Sequence, residues 1–240
     1  MSSHALEQIF VTGSGYTREV RLLSPDKREP VHLCLILDAE FYLDRIGAEA
    51  KISSLLARDS FPPTVFAFVS HIDNAHRHRD YACDSRYSAF LANEVVDEVA
   101  NRFPSVAGNR HSVCGLSLSG LAAACLVLHY PRRFAGAACQ SGSFWWNGEW
   151  LTGNFPDLSG KRFYLSVGNG ETQAGISHQP SGMRQEVSQL DACRRFAEKA
   201  AQMSHRARFE VFEGGHEMEP WGEELPEALE WLITEICDLS

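Results

Sequence analysis

The chain has 240 residues, a formal net charge of −9 and 44% hydrophobic residues, enough to bury one substantial core in a single domain over 1–240. The acidic balance, without a long basic run, argues against a nucleic-acid partner, because phosphate binding needs a concentrated positive surface. No apolar run reaches bilayer-spanning length, and Met1-Ser2-Ser3-His4 lacks the charged and apolar segments of a leader, so a cytoplasmic protein without a membrane partner is expected.

Apolar runs alternate with helical stretches, which predicts an α/β fold with a largely parallel sheet. Strands are expected at 8–12 and 19–23, paired as an antiparallel hairpin across Gly13-Ser14-Gly15, and then at 31–37, 64–69, 112–114, 136–140, 162–167 and 207–211. Helices are expected at 48–57, 87–103, 118–130, 183–203 and 224–237. The stretch 144–160, rich in Trp, Gly, Asn and Pro, and the polar stretch 169–181 are the expected site-forming loops. The seven cysteines show no Cys-x-x-Cys spacing, which suits reduced core thiols and predicts neither a disulfide framework nor structural zinc. No cofactor is implied.

The run Val113-Cys114-Gly115-Leu116-Ser117-Leu118-Ser119-Gly120 joins a short apolar strand to a small-residue helix through a serine. That is the pattern of a nucleophile elbow, in which residues two before and two after the nucleophile must be small. Gly115 and Ser119 hold those places and make Ser117 the candidate nucleophile. Ser119 is the rival, but Leu121 two places on would crowd its turn.

A serine hydroxyl needs a base to take its proton and an acid to orient that base, in the chain order Ser, acid, His for this kind of sheet. Glu171 follows strand 162–167 on a turn with Gly168 and Gly170, and His216 follows strand 207–211 within Glu213-Gly214-Gly215-His216. Both lie beyond carboxyl ends of strands, where open α/β sheets place their sites. Glu186 and Asp191 fall on an expected helix, and His205 precedes a strand. The oxyanion of the reaction needs main-chain N–H donors. Leu118 supplies one, and Glu40, in the Asp38-Ala39-Glu40-Phe41 loop after strand 31–37, supplies the other unless that segment is a simple turn.

Cys114-Gly115-Leu116-Ser117-Leu118-Ser119-Gly120-Leu121-Ala122-Ala123 followed by Gln140-Ser141-Gly142-Ser143-Phe144-Trp145-Trp146 resembles the enterochelin (ferric siderophore) esterases, esterase-D-like α/β-hydrolases. Leu37-Asp38-Ala39-Glu40-Phe41-Tyr42, the segment from Ile72-Asp73 through Arg77 to Glu94, and Gly214-Gly215-His216 extend the likeness over most of the chain. The resemblance implies an α/β-hydrolase fold, a mostly parallel eight-stranded sheet with helices on both faces. It implies a serine esterase with Ser117 and His216 as catalytic pair and Glu171 as acid. The implied partner is a small-molecule ester, an anionic catecholate siderophore or its iron complex. Ser119 and Ala39 stand where the family has glycine, and the resemblance sets the hydrolase domain close to residue 1, so the extra N-terminal domain of the cytoplasmic enterochelin esterases is not expected within these 240 residues.

His76-Arg77-His78-Arg79 is the one basic cluster of this acidic chain. Arg77 matches the family's arginine in that loop and can bind an anionic substrate or fix the loop through Asp80 or Asp84. A metal site from His71, His76 and His78 is disfavoured by the two arginines between them, and no metal is expected. Trp145 and Trp146 can line an aromatic substrate pocket or pack a lid. Two other functions stay open: a general carboxylesterase, feruloyl-type esterase or acyltransferase of the same fold, and a non-catalytic binding protein.

Overall fold

The computed structural model describes residues 6–26, 28–108 and 110–238. Eight strands form one sheet: β1 (Glu7–Gly13), β2 (Tyr16–Leu23), β3 (His32–Leu37), β4 (Thr64–Val69), β5 (His111–Leu116), β6 (Phe134–Gln140), β7 (Arg162–Gly168) and, last in the chain, β10 (Arg206–Phe212). Their order is β1-β2-β4-β3-β5-β6-β7-β10. β1 pairs antiparallel with β2, and β2 with β4, while every pairing from β4 to β10 is parallel. These are the eight strands expected from the alternation of apolar runs.

All six residues of β3 and of β4 are buried, as a strand covered on both faces requires. Leu33, Leu35 and Leu37 face one core with Tyr87, Leu121 and Phe196. Cys34 and Ile36 face the other with Ile52, Trp221 and Leu229. The first face carries α4 (Ser85–Phe90), α5 (Val96–Arg102), α6 (Leu118–His129) and α8 (Gln189–Gln202). The second carries α1 (Ala39–Asp44), α2 (Ala48–Leu56) and α9 (Met218–Asp238). α4 runs into α5 through a π turn at Leu91–Val95, which together make the helix expected at 87–103. No helix among the described residues is long and apolar enough to cross a membrane.

Four expectations need correction. The helix expected from residue 183 begins at Gln189, capped by Ser188, whose Oγ accepts from Asp191 N at 3.0 Å. The residues before it form a small hairpin, β8 (Ile176–His178) with β9 (Met183–Gln185), turned at Gly182 with φ 72°. The final helix starts at Met218 rather than 224: Pro220 is tolerated in a first turn, and the burial of Trp221 and Leu225 pins the segment to the core. Further short helices, α1, α3 (Asn74–Asp80) and α7 (Trp146–Gly153), arise where loops were expected, α1 in place of the Asp38–Phe41 loop and α7 with left-handed backbone at Asn147, Gly148 and Glu149.

The fourth correction concerns the thiols. Cys83, between α3 and α4, and Cys125, on α6, form a disulfide across Cα atoms 5.7 Å apart. Their separation of 42 residues carries no local pairing signal, since only the crossing of the 81–84 loop over α6 brings them together. Cys34, Cys114, Cys139 and Cys193 are buried free thiols, as a small apolar side chain permits.

Candidate active site

β5 ends at Leu116, α6 begins at Leu118, and Ser117 between them takes φ 53°, ψ −119°. A non-glycine residue holds such a conformation only when its surroundings fix it. Ser117 N–H donates to the Gln140 carbonyl at 2.8 Å, and the Ser117 carbonyl accepts from Ser143 N at 2.9 Å. The elbow also needs backbone contact: a Cβ on Gly115 would stand 2.3 Å from the Ser119 carbonyl oxygen, and one on Gly120 would stand 2.9 Å from Gly142 Cα. Ser119 is fully buried. Its hydroxyl bonds both Leu116 N–H and Leu116 C=O, each at 2.8 Å, so it serves the turn while Ser117 faces the cavity.

His216 and Glu171 meet over this serine. His216 Nε2 lies 2.9 Å from Ser117 Oγ, and Nδ1 lies 2.6 Å from Glu171 Oε2. The pattern is satisfied when Nδ1–H donates to the carboxylate and the hydroxyl donates to Nε2. Glu171 Oε1 accepts from Ser141 Oγ at 2.6 Å and from Gly168 N at 2.9 Å, and the side chain is only 3% exposed. The loops after β7 and β10 are clasped by main-chain bonds, Gly170 N to Gly214 O at 2.8 Å and Asn169 N to Phe212 O at 2.9 Å. A Cβ on Gly168 would meet Gly214 O at 2.4 Å. The Trp221 ring meets the His216 ring edge-on at 4.7 Å. The rival residues are elsewhere: Asp191 sits in the capped turn of α8, Glu186 borders a separate depression, and His205 Nδ1 accepts from Lys161 N.

Leu118 opens α6 and lines the cavity, so its main-chain N–H is among those a helix leaves without an intrahelical acceptor. Glu40 lies in the opening turn of α1, and its carboxylate accepts from Ser70 Oγ at 2.5 Å and His71 N at 3.2 Å. Asp38, with φ 63°, introduces that helix. Arg77 Nε donates to both Asp38 oxygens at 2.9 Å, and Nη2 donates to Oδ2 at 2.7 Å. The loop partner of Arg77 is therefore Asp38 rather than Asp80 or Asp84. Asp80 instead pairs with Arg18 and Arg79.

His71 Nδ1 stands 2.9 Å from both Asp38 and Glu40. Burial opposes its charge, but the two carboxylates outweigh burial and raise its pKa to about 9. Burial likewise opposes ionisation of Glu40, yet His71 and Ser70 bring it down to about 2. This ionised cluster braces the segment between β3 and α1.

Ser117 and His216 open into a cavity of about 370 Å³ that Arg77, His78 and Trp145 also line. The β8–β9 hairpin forms one wall through Ile176, His178, Met183 and Gln185. Trp145 stacks on His178 at 4.8 Å, with 13° between the rings, and its Nε1 donates to Gln189 Oε1. His78 Nδ1 lies 2.6 Å from Ser181 Oγ, and His178 Nε2 lies 2.9 Å from Gln185 Oε1. Burial, with Arg77 and His178 nearby, lowers the pKa of His78. Trp146 is outside: it packs edge-on against Trp150 at 6.1 Å and borders another depression. His78 belongs to the basic cluster singled out from the sequence and His178 to the expected site-forming stretch 169–181, whereas Gln185 and Gln189 carry no sequence signal that places them in the cavity. For His178 and Gln185 the one local mark is the Pro180-Ser181-Gly182 turn between two three-residue strands, too short for an alternation to register.

A mostly parallel sheet with this strand–serine–helix elbow after β5 defines an α/β-hydrolase. A family described as putative esterase matches residues 13–232, and the chain belongs to it. The chain is 31% identical over 212 residues to the iron(III) enterobactin esterase of Dickeya dadantii, covering 84% of this chain and 48% of that protein. It spans about half or less of the length of the curated relatives it matches. Among solved structures, the enterobactin esterase of Shigella flexneri with 2,3-dihydroxy-N-benzoyl-serine superposes at a TM-score of 0.80 and 24% identity, over 99% of this chain and 61% of that one. A siderophore hydrolase from Aspergillus nidulans superposes at 0.69 and 17% identity, over 98% and 96% of the two chains.

Proposed function

We propose that the chain is a serine esterase that hydrolyses the ester bonds of a catecholate siderophore or a similar aryl ester. The observation that carries this reading is the unbroken contact from Glu171 through His216 to Ser117 at the floor of a cavity. His216 takes the Ser117 proton as the oxygen attacks the ester carbonyl, and Glu171 holds the ring and stabilises its charged form. The tetrahedral oxyanion is stabilised by the main-chain N–H of Leu118, where a lost donor costs roughly 3 kcal/mol; Glu40, the second donor expected from the sequence, is not among the residues that line the cavity. The imidazolium then protonates the leaving alcohol. A water, deprotonated by the same ring, releases the acid and regenerates Ser117.

Substrate choice follows the walls. Trp145 offers an aromatic surface of the kind that holds a planar ring. Arg77 is engaged with Asp38 and has no free fork for bidentate binding, and His78 and His178 lie on the same side as polar rings. Such a lining suits a planar aryl ligand. The names of the relatives point to the same chemistry. The test is hydrolysis of a ferric catecholate tri-lactone against simple acyl esters of matched leaving group. A clear preference in kcat/KM for the lactone supports the assignment, and equal or lower turnover leaves a general carboxylesterase.

A further inference from the structure

Behind the acid–base pair lies a second buried polar chain that the reaction steps do not use. Gln140, the last residue of β6, is fully buried. Its main-chain carbonyl accepts the Ser117 N–H, and its Oε1 accepts Tyr42 O–H at 2.8 Å. Its Nε2 donates to the Trp221 carbonyl and to Glu224 Oε1, both at 2.7 Å. Ser166 Oγ, on the neighbouring β7, donates to the same Glu224 oxygen. Trp221, one turn before Glu224 on α9, donates Nε1 to Ser141 Oγ at 3.0 Å, and Ser141 Oγ donates to Glu171.

We propose that Glu224 is a positioning residue for the acid–base pair. It fastens the start of α9 to the ends of β6 and β7, and thereby fixes the indole that backs the His216 ring and supports Glu171 through Ser141. The proposal rests on the reading of Ser117, His216 and Glu171 given above.

Burial pushes the Glu224 carboxyl up to about 7, against the pull of Ser166 and Gln140, and Glu227 and Glu210 add to the rise. The titratable side chains Tyr42, Cys114 and Tyr164 also feel its charge. An acid held in such surroundings works against stability, so its use is sought in the geometry it imposes. Its two donors come from adjacent strand ends, one of which also carries the acceptor for the nucleophile's own N–H. A displacement of the order of 1 Å at a catalytic group costs about 10²-fold in rate, so release of this anchor reaches the chemistry without touching substrate.

The experiment compares wild type, Glu224→Ala and Glu224→Gln in p-nitrophenyl acetate hydrolysis and in the rate of fluorophosphonate labelling at Ser117. Glutamine keeps an acceptor oxygen for Gln140 and Ser166. The expected result is that Glu224→Ala lowers kcat and the labelling rate about tenfold with KM within about twofold, while Glu224→Gln stays within about threefold of wild type. An unchanged kcat in Glu224→Ala, a loss expressed in KM alone, or a glutamine variant as impaired as the alanine one overturns the proposal. If Glu224→Ala does not fold, Glu224→Asp withdraws the carboxylate by one methylene and decides the matter: a several-fold fall in kcat supports the anchor, and wild-type kcat refutes it. Wild type that neither labels at Ser117 nor turns over ester defeats the functional reading and this proposal together, whereas an active, labelled wild type with indifferent Glu224 variants defeats only the anchor.

Discussion

Glu171 and His216, 45 residues apart in the chain, are joined by a 2.6 Å contact from Oε2 to Nδ1, with the second carboxylate oxygen held by Ser141 and Gly168. The acid is thus fixed at both oxygens before it meets the ring. Glu171→Gln can place an N–H where the ring also presents one, which breaks the tautomer that leaves Nε2 free to accept. We expect kcat to fall about 10²- to 10⁴-fold with KM little changed, measured in steady state on an aryl ester. A fall below tenfold would make Glu171 dispensable.

The Ser119 hydroxyl, bonded to both main-chain groups of Leu116, predicts a stability effect without a chemical one. Ser119→Ala leaves a buried N–H short of an acceptor and is expected to cost about 1–3 kcal/mol in urea unfolding, with esterase activity retained. Gly115→Ala, whose Cβ would meet main-chain oxygen at 2.3 Å, is expected to lose soluble expression or activity. Retention of both in Gly115→Ala contradicts the packing of the elbow.

His71 ties stability to pH. Its folded pKa of about 9 stands above the unfolded value of about 6.5. Its stabilising contribution is therefore complete below pH 6.5 and is lost as pH rises through 9. Glu40, held at about 2, behaves in the opposite sense, contributing above about pH 4.5 and losing that contribution as pH falls through 2. Denaturant unfolding from pH 6 to 10 should show a decline in wild type that His71→Gln flattens. Parallel curves for the two proteins would remove His71 from the cluster.

The Cys83–Cys125 bridge closes a loop of 42 residues that includes α4 and the elbow. Reduction is expected to lower unfolding stability by about 2–4 kcal/mol, and Cys83→Ala to make the protein insensitive to reductant. Free-thiol titration under denaturing conditions gives the direct count. Seven reactive thiols before any reductant would show that the bridge does not form.

Sequence was informative where a repeat distance or a chemical requirement was local. The continuous apolar run at 64–69, the small residues around Ser117 and the glycines before His216 each report a nearby steric demand, and the strands and elbow followed from them. It was silent where the demand is set by distant chain. The Arg77–Asp38 pair and the Cys83–Cys125 bridge join segments 39 and 42 residues apart. β8 and β9 have three residues each, too few for a period, and their polar faces are explained only by the cavity they wall. α9 starts earlier than expected because Pro220 and Gly222 resemble punctuation, while burial of Trp221 overrides them.

The functional reading stands on activation of Ser117 Oγ by His216. Labelling with a fluorophosphonate, followed by peptide mass mapping, tests it most directly. One adduct is expected, on Ser117, absent in Ser117→Ala and formed at least about 10²-fold more slowly in His216→Ala. An adduct on Ser119, or undiminished labelling of Ser117→Ala, would contradict it.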